Sequence, residues 1–293
     1  MDLMTSVKYR HIRALLGLLA PFICLIMVLN ACQKSAPVQK VELAPVLTPV
    51  TVTVQKPSDI QMVKNGLAPA LLYSNISGLD SLPLDEKKMR FISALLPAIL
   101  VAKYQIDEKR AHFQSLLRSQ DWSPSDSSFY LELSVTYRTN DTTALLSALH
   151  THPNSIVLAQ AAVESGWGNS RIFGEANNLF GIWSYRSSEP RIAASVKRGD
   201  QTIYLRKYND ISESISDYFV TIGRSRPYAS FRNTRMTTDS VELLLPHLIY
   251  YSERREEYTE QLGSMIRFNE LKRFDDYRLD SSYFVVPKEE TEE

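Results

Sequence analysis

The sequence predicts an α+β fold that is mostly α: a helical domain carrying one small β-hairpin lobe, preceded by a helical N-terminal region. Two patterns lead there. Apolar residues recur at helical spacing in several separate stretches, and one pair of short runs alternates around a turn. In "DEKKMRFISALLPAILVAKYQIDEKRAHFQSLLRSQ" the stripe is Met89, Ile92, Leu95, Leu96, Ile99 and Leu100, with Pro97 expected to kink or break the helix. "DWSPSDSSFYLELSVTYRTN" is mixed, which puts a soft boundary near Asn140. "DTTALLSALHTHPNSIVLAQAAVES" reads as two helices parted at Pro153, with Asn154 or Ser155 to cap the second. Ile192 to Val196 and Thr202 to Leu205 alternate around Gly199 and Asp200 as a hairpin does. Two amphipathic helices follow, one on Ile211, Ile215, Tyr218, Phe219 and Ile222 behind an Asp210/Glu213 capping box, the other on Tyr258, Leu262, Met265 and Ile266.

The 293 residues carry 33 basic and 33 acidic side chains, so whole-chain charge gives no argument for nucleic acid or an acidic membrane surface. Lys8, Arg10 and Arg13 precede the uncharged run Ala14 to Leu29, which ends in "LNAC" at Cys32. That order of basic, apolar, small residue and cysteine resembles a bacterial lipoprotein signal, with Cys32 as the lipidation site and the mature N-terminus. An uncleaved membrane anchor is the alternative; Pro21 and the run's length, slightly short of a span, favour the signal. The expected location is then the cell envelope, at the periplasmic face of the outer membrane, where Gln33 after Cys32 is compatible with sorting. Cys24 is the only other cysteine, and it precedes Cys32, so no disulfide or cysteine-ligated zinc is expected. From Gln33 the Pro-rich "QKSAPVQKVELAPVLTPVTVTVQKP" reads as an extended tether spanning about 75 Å at about 3 Å per residue. A strand from "VTVTV" is the alternative, opposed by the flanking prolines. The expected division is 1–31 signal, 32–60 tether, 61–140 helical region, 141–277 main domain and 278–293 acidic tail.

Chemistry concentrates in "LAQAAVESGWGNS". From Ile156 to Val163 every residue but Gln160 is apolar, so the helix is expected to be buried, and Glu164 is its carboxylate. Burial and the negative end of the helix dipole both raise a carboxyl pKa, leaving the protonated state a general acid needs. Gly166 and Gly168 let the backbone turn and leave room for a ligand, with Trp167 near the opening where an indole can stack on a sugar. The plain alternative is a solvent-facing glutamate at a frayed helix end. The run of Trp167, Phe173, Phe180, Trp183 and Tyr185 argues against it; Trp183 and Tyr185 share a face if "GIWSY" is extended, and Phe180 reads as core.

"AQAAVESGWGNSRI", "NNLFGIWS" and "YYSERREEYTEQLGSMIRFN", in that order, resemble the bacterial peptidoglycan N-acetylglucosaminidases, the family of flagellar-type and Bax-like proteins. The resemblance spans roughly Ala144 to Asn269, and "EKKMRFISALLPAIL" extends it toward the Bax-like branch. It implies a lysozyme-like fold, with a hairpin lobe across a groove and cleavage of the glycan after N-acetylglucosamine. Glu164 would be the general acid and Tyr251 the groove tyrosine that orients the substrate's acetamido group or the attacking water; a packed tyrosine is the alternative for Tyr251. Asn177 and Asn178 match the loop before the hairpin, a place where such residues fix backbone; Asn178 joins Trp167, Trp183 and Tyr185 as a candidate substrate contact. The family's second glutamate has no clear match: Glu189 and Asp200 are the candidates for it. A retaining carboxylate pair is thus unsupported, and the acetamido oxygen or a Tyr251-held water takes its place.

The implied partner is the peptidoglycan glycan strand, with no cofactor, metal or nucleic acid. "HTH" at His150 to His152 lacks companions for a metal set and reads as polar loop, and His247 as a satisfied core histidine. A lytic transglycosylase or muramidase of the same fold is the neighbouring activity, and an inactive peptidoglycan-binding lipoprotein the alternative of another class.

Overall fold

Pro97 does not end the helix that contains it. In the computed structural model, which describes residues 44–195 and 199–287, α1 (Leu84–Leu116) runs unbroken through Pro97. A proline inside a helix costs about 3 kcal/mol or more. Burial offsets that cost, because every residue from Phe91 to Ala102 is buried, and fully burying a Leu, Ile or Phe contributes about 2 kcal/mol each. The expected signal, Cys32 and the first part of the expected tether lie outside the described residues, as does the acidic end from 288.

Among the described residues the other helices are α2 (Pro124–Tyr137), α3 (Thr142–Ala148), α4 (Asn154–Ser165), α5 (Arg171–Ala176), α6 (Ile211–Arg224), α7 (Ala229–Arg235), α8 (Val241–Leu244) and α9 (Glu256–Phe268). The strands are β1 (Val46–Leu47), β2 (Val50–Thr53), β3 (Leu67–Ala68), β4 (Leu71–Ser74), β5 (Arg191–Ala193), β6 (Tyr204–Arg206), β7 (Arg278–Leu279) and β8 (Phe284–Val285). They pair in twos: β1 with β8 and β5 with β6 antiparallel, β2 with β4 and β3 with β7 parallel. The class is the expected one, α+β and mostly α with a small hairpin.

One apolar core joins Phe91, Leu95 and Ile99 of α1 with Ile156 to Ala162 of α4, Ile211, Ile215 and Phe219 of α6, and Tyr258, Leu262 and Ile266 of α9. The boundary expected near Asn140 therefore separates no two cores: α1 is the floor on which α4 and α6 pack. A smaller cluster, Phe113, Leu133, Tyr137, Leu145 and Leu149, seats α2 and α3 against the far end of α1. The segment around α2 reads as a mixed junction in the sequence, yet it forms a helix. Ser123 and Asp126 supply a reciprocal capping box, and Pro124 sits at the first helical position, where its missing N–H is no loss.

Three further expectations are corrected. The tether does not extend through 44–60: β2 pairs along β4, from Val50 against Leu71 to Thr53 against Ser74, and the flanking prolines lie outside the paired residues. The tail does not begin at 278, because β7 pairs with β3 and β8 with β1, so the C-terminal chain clasps the N-terminal one. Neither Asn154 nor Ser155 caps α4 by its own side chain. Asp275, from the far end of the sequence, accepts the Ser155 N–H at 2.7 Å and the Ser155 hydroxyl at 2.8 Å. Asn154 instead accepts from Lys103 Nζ at 2.8 Å and donates to the Phe274 carbonyl. The α4 N-terminus is thus held by side chains from two other parts of the chain, which fixes where its other end projects.

Candidate active site

α4 is buried on every side except at its last turn, where Val163 is half-buried and Glu164 is exposed. Its end is closed by three consecutive left-handed residues, Gly166, Trp167 and Gly168, with φ of 60°, 57° and 83°. The N–H groups of Gly166 and Trp167 both return to the Ala162 carbonyl. Ser165, whose hydroxyl donates to the Ala161 carbonyl, accepts the Gly168 N–H at 3.0 Å. This turn leaves Glu164 pointing out of a rigid helix.

Gly168 answers to packing rather than to ligand access. A Cβ there would stand 3.1 Å from Leu79 Cδ1 and 3.2 Å from both Phe91 and Phe173, besides forcing a side chain into the left-handed region. Gly168→Ala is expected to destabilise the fold by about 2 kcal/mol, the sum of overpacking and backbone strain, read as a lower urea midpoint at unchanged slope. Trp167 likewise turns to α1: its ring meets Phe91 edge-on at 5.6 Å, with Lys88 Nζ 5.4 Å from its centre.

The Glu164 side chain is exposed, yet its carboxyl sits amid densely packed protein, and the lost hydration raises its pKa above the usual carboxylate value. The Tyr258 hydroxyl and the Arg254 guanidinium act the other way without cancelling it. Desolvation therefore favours the protonated carboxylic acid, as the sequence suggested. Tyr228, Tyr251 and Tyr258 gather at this carboxyl, and each has its pKa pushed up by burial first and by the Glu164 charge in addition. Tyr251 stacks on Tyr258 with ring centres 5.6 Å apart and planes 6° off parallel, and meets Tyr228 at 6.0 Å. Arg254 lies 5.6 Å from the Tyr258 ring centre. Of these neighbours the sequence reading named Tyr251 and Tyr258 but gave a role to Tyr251 alone. Tyr228 and Arg254 gave no signal, since both come from connections with no periodicity.

The hairpin lobe follows directly. Trp183 bridges to Leu205 on β6, and its ring lies 6.1 Å from that of Tyr185, which is 81% exposed, so the two rings share a face as alternation implies. Phe180 is core, stacked on Tyr218 at 4.3 Å. Asn178 is a correction as a substrate contact. It is buried, its amide nitrogen donates to the carbonyls of Ile182 and Arg206, and its oxygen accepts the Ile182 N–H, so its hydrogen-bonding capacity holds the loop onto the hairpin. Asn177 does the same toward the carbonyls of Tyr208 and Asn209.

The two candidates for a second carboxylate have different surroundings. Desolvation opposes ionisation of Glu189, but the Ser184 hydroxyl and the Arg206 guanidinium, 3.5 Å away, outweigh it and hold the carboxyl below its usual range. Asp200 is exposed at the hairpin turn. Among the described residues no cluster of three or more His, Cys, Asp or Glu is arranged to hold a metal ion. His152 is no polar loop residue: it is 2% exposed and hydrogen-bonded to Tyr218. His247 is satisfied by Ser230 at 2.8 Å.

Residues 140–271 match the family described as mannosyl-glycoprotein endo-beta-N-acetylglucosaminidase. This stretch is a glucosaminidase-family domain. It runs from the start of α3 to the turn after α9, so Glu164, the tyrosines and the hairpin lobe all fall inside the glucosaminidase domain, a glycoside hydrolase by family. The chain is 24% identical to the protein Bax of Escherichia coli, over 63% of this chain and 70% of that protein. It is 29% identical to the peptidoglycan hydrolase FlgJ of Salmonella typhimurium over 39% of each chain. Against the exo-glucosaminidase LytG of Bacillus subtilis it is 38% identical, over 22% of this chain and 24% of that protein. Similar solved structures include an autolysin catalytic domain and a glycoside hydrolase domain. The catalytic domain of the autolysin Auto from Listeria monocytogenes aligns at 19% identity and a TM-score of 0.37, over 55% of this chain and 94% of that one. The FlgJ glycoside hydrolase domain aligns at 26% identity and 0.33, over 50% and 89%. The Bax match, longer than the family match, extends the likeness beyond the glucosaminidase domain.

Proposed function

We propose that the protein is an endo-β-N-acetylglucosaminidase that cleaves peptidoglycan glycan strands after N-acetylglucosamine, with Glu164 as general acid. The observation that carries the reading is a carboxyl at a rigid helix end, open to solvent yet with its pKa raised by desolvation. A glycosidic oxygen leaves poorly as an alkoxide, and proton transfer from a positioned carboxylic acid to that oxygen breaks the bond with a neutral hydroxyl as leaving group. The sugar left behind is oxocarbenium-like at its C1. Glu189 is tied to Arg206 and Asp200 stands on the hairpin turn, so this reading assigns neither as nucleophile. The N-acetyl group of the same sugar supplies an oxygen that reaches C1 without help from the enzyme, and water then opens that intermediate. In this reading Tyr251, half-buried on Tyr258, orients the acetamido group or that water. Trp183 and Tyr185 offer ring faces for neighbouring sugars.

The lipid anchor on Cys32 and a place at the periplasmic face of the outer membrane belong to the same proposal, resting on the "LNAC" pattern. Mass spectrometry of fragments released from purified sacculi tests the activity. Fragments ending in reducing N-acetylglucosamine are expected. Anhydro-muramic ends would replace the reading by a lytic transglycosylase, reducing muramic ends by a muramidase, and binding without any new ends by an inactive wall-binding protein.

A further inference from the structure

Behind Glu164 a line of buried polar side chains crosses the core. Arg235 Nη1 lies 3.4 Å from His152 Nδ1, and His152 Nε2 lies 2.9 Å from the Tyr218 hydroxyl. Tyr218 donates to Gln160 Oε1 at 2.7 Å, and Gln160 Nε2 donates to the Tyr258 hydroxyl at 3.1 Å. Beyond Gln160, the Tyr258 hydroxyl favours the ionised form of the Glu164 carboxyl, and that carboxyl's charge in turn raises the Tyr258 pKa. The members come from α7, the α3–α4 connection, α6, α4 and α9, and from Arg235 to Tyr258 none is more than 2% exposed. Gln160 and Glu164 lie one helical turn apart on α4.

The direction of every link is forced. A guanidinium only donates, so His152 Nδ1 accepts and the ring carries its proton on Nε2. Tyr218 must accept that proton's bond, and its own hydrogen goes to Gln160 Oε1, which only accepts. The Gln160 amide nitrogen only donates, so the Tyr258 oxygen accepts and its hydrogen is left for Glu164. Burial keeps the chemistry consistent. It drives the His152 pKa well down, leaving a neutral ring, and brings that of Arg235 only to about 9, so the guanidinium stays charged at neutral pH. The carbonyls of Ser147 and Ala148, at the last turn of α3, hold that charge at 3.0 and 3.1 Å.

We propose that Arg235, His152, Tyr218 and Gln160 are positioning residues for Glu164, forming a one-way chain of donors that keeps the Tyr258 hydroxyl hydrogen aimed at its carboxyl. The inference rests on Glu164 as the general acid. With one carboxyl oxygen always accepting from Tyr258, the acidic proton resides on the other oxygen, the one available to a glycosidic oxygen. Without the chain, Tyr258 is free to turn its hydrogen back to Gln160, and the acid loses both its fixed orientation and a donor that favours its ionised form. The other groups acting on the Glu164 carboxyl are Arg254 before α9, Tyr228 before α7 and Tyr251 after α8. All of these remain in the variants below.

The test follows the Glu164 carboxyl by carbon-13 NMR in the full chain labelled at glutamate δ-carbons, with Glu164→Gln identifying the signal. Tyr218→Phe keeps the ring against Phe180 and removes only the relaying hydroxyl. Its Glu164 titration midpoint is expected to rise by about half a pH unit or more, because a donor to the carboxylate is weakened. Tyr258→Phe is expected to rise further, and the double variant no further than Tyr258→Phe alone. The basic limb of the kcat profile on sacculi moves with the midpoint, while KM is little changed. A folded Tyr218→Phe with the wild-type midpoint overturns the proposal, as does a Tyr218→Phe shift that persists in full on the Tyr258→Phe background. If Tyr218→Phe does not fold, Gln160→Met interrupts the same line one link later and carries the same expectation. The titration needs no turnover: wild-type protein that releases nothing from sacculi sinks the glucosaminidase reading, whereas an unmoved midpoint sinks the relay.

Discussion

Glu164→Gln is expected to lower kcat on sacculi by about 100- to 10,000-fold, the range a general acid contributes, while the protein stays folded. The amide keeps the shape of the acid and one acceptor for Tyr258, and has no proton acidic enough to pass to the leaving oxygen. The pH dependence has a definite sign. A general acid works only when protonated, so activity is lost as pH rises through the Glu164 pKa, which desolvation has moved above the usual value for glutamate. The basic limb of the rate profile therefore lies higher than an unperturbed glutamate would give. The same shift makes the ionised group a cost to folding: the wild type is most stable below the unfolded pKa, and that contribution is lost as pH rises through the folded one. Glu164→Gln is thus expected to melt no lower than the wild type at neutral pH. Calorimetry beside a reducing-end assay reads both effects, and a variant that melts much lower, or retains wild-type kcat, contradicts this role.

Arg235→Leu is expected to cost about 3 kcal/mol of stability, seen as a lower urea midpoint. The guanidinium is buried with no carboxylate bonded to it; what it holds are the two carbonyls ending α3 and the Nδ1 of His152. Leucine restores the apolar volume but takes a donor from all three; the Ser147 carbonyl keeps the His150 N–H, whereas the Ala148 carbonyl and His152 Nδ1 lose the guanidinium, and an unpaired buried polar group costs about 1–3 kcal/mol. The relief of an expensive desolvated charge offsets part of this. An unchanged midpoint would show that water reaches the vacated carbonyls.

Local features of the sequence pointed to the proposed acid and the helix that carries it. The apolar run before Glu164, broken by Gln160 alone, the alternation in "GIWSY", a short hairpin of Arg191–Ala193 against Tyr204–Arg206 and the Asp210 cap each depend on a few neighbouring residues; the Glu213 carboxyl turns to Asn209 instead of closing the expected capping box. Gln160 was visible as the one polar residue in that apolar run, one turn from Glu164, and is the signal that could have led to the buried line behind it. Its partners could not be read, because His152, Tyr218, Arg235 and Tyr258 are scattered over more than a hundred positions and meet only when five parts of the chain pack. The same limit hid β1 and β8, two residues each and paired across nearly the whole described chain, and the capping of α4 by Asp275. Where Trp167, Gly168 and Asn178 were read as open to a ligand, tertiary packing claimed them first.

The pairing of β1 with β8 and of β3 with β7 brings the first and last described strands side by side. Seen mechanically, this makes the ends of the fold a fastening rather than two loose threads. A pull on the chain at Ala44 meets β1, held to β8 by two residue pairs, before it reaches β2, whose four pairs with β4 resist by sliding along their length. The core and the glutamate at the end of α4 lie beyond both. Load entering from the N-terminal side is therefore expected to undo the β1–β8 clasp first, as a small early rupture in single-molecule extension, and to leave the catalytic geometry in place while the chain lengthens.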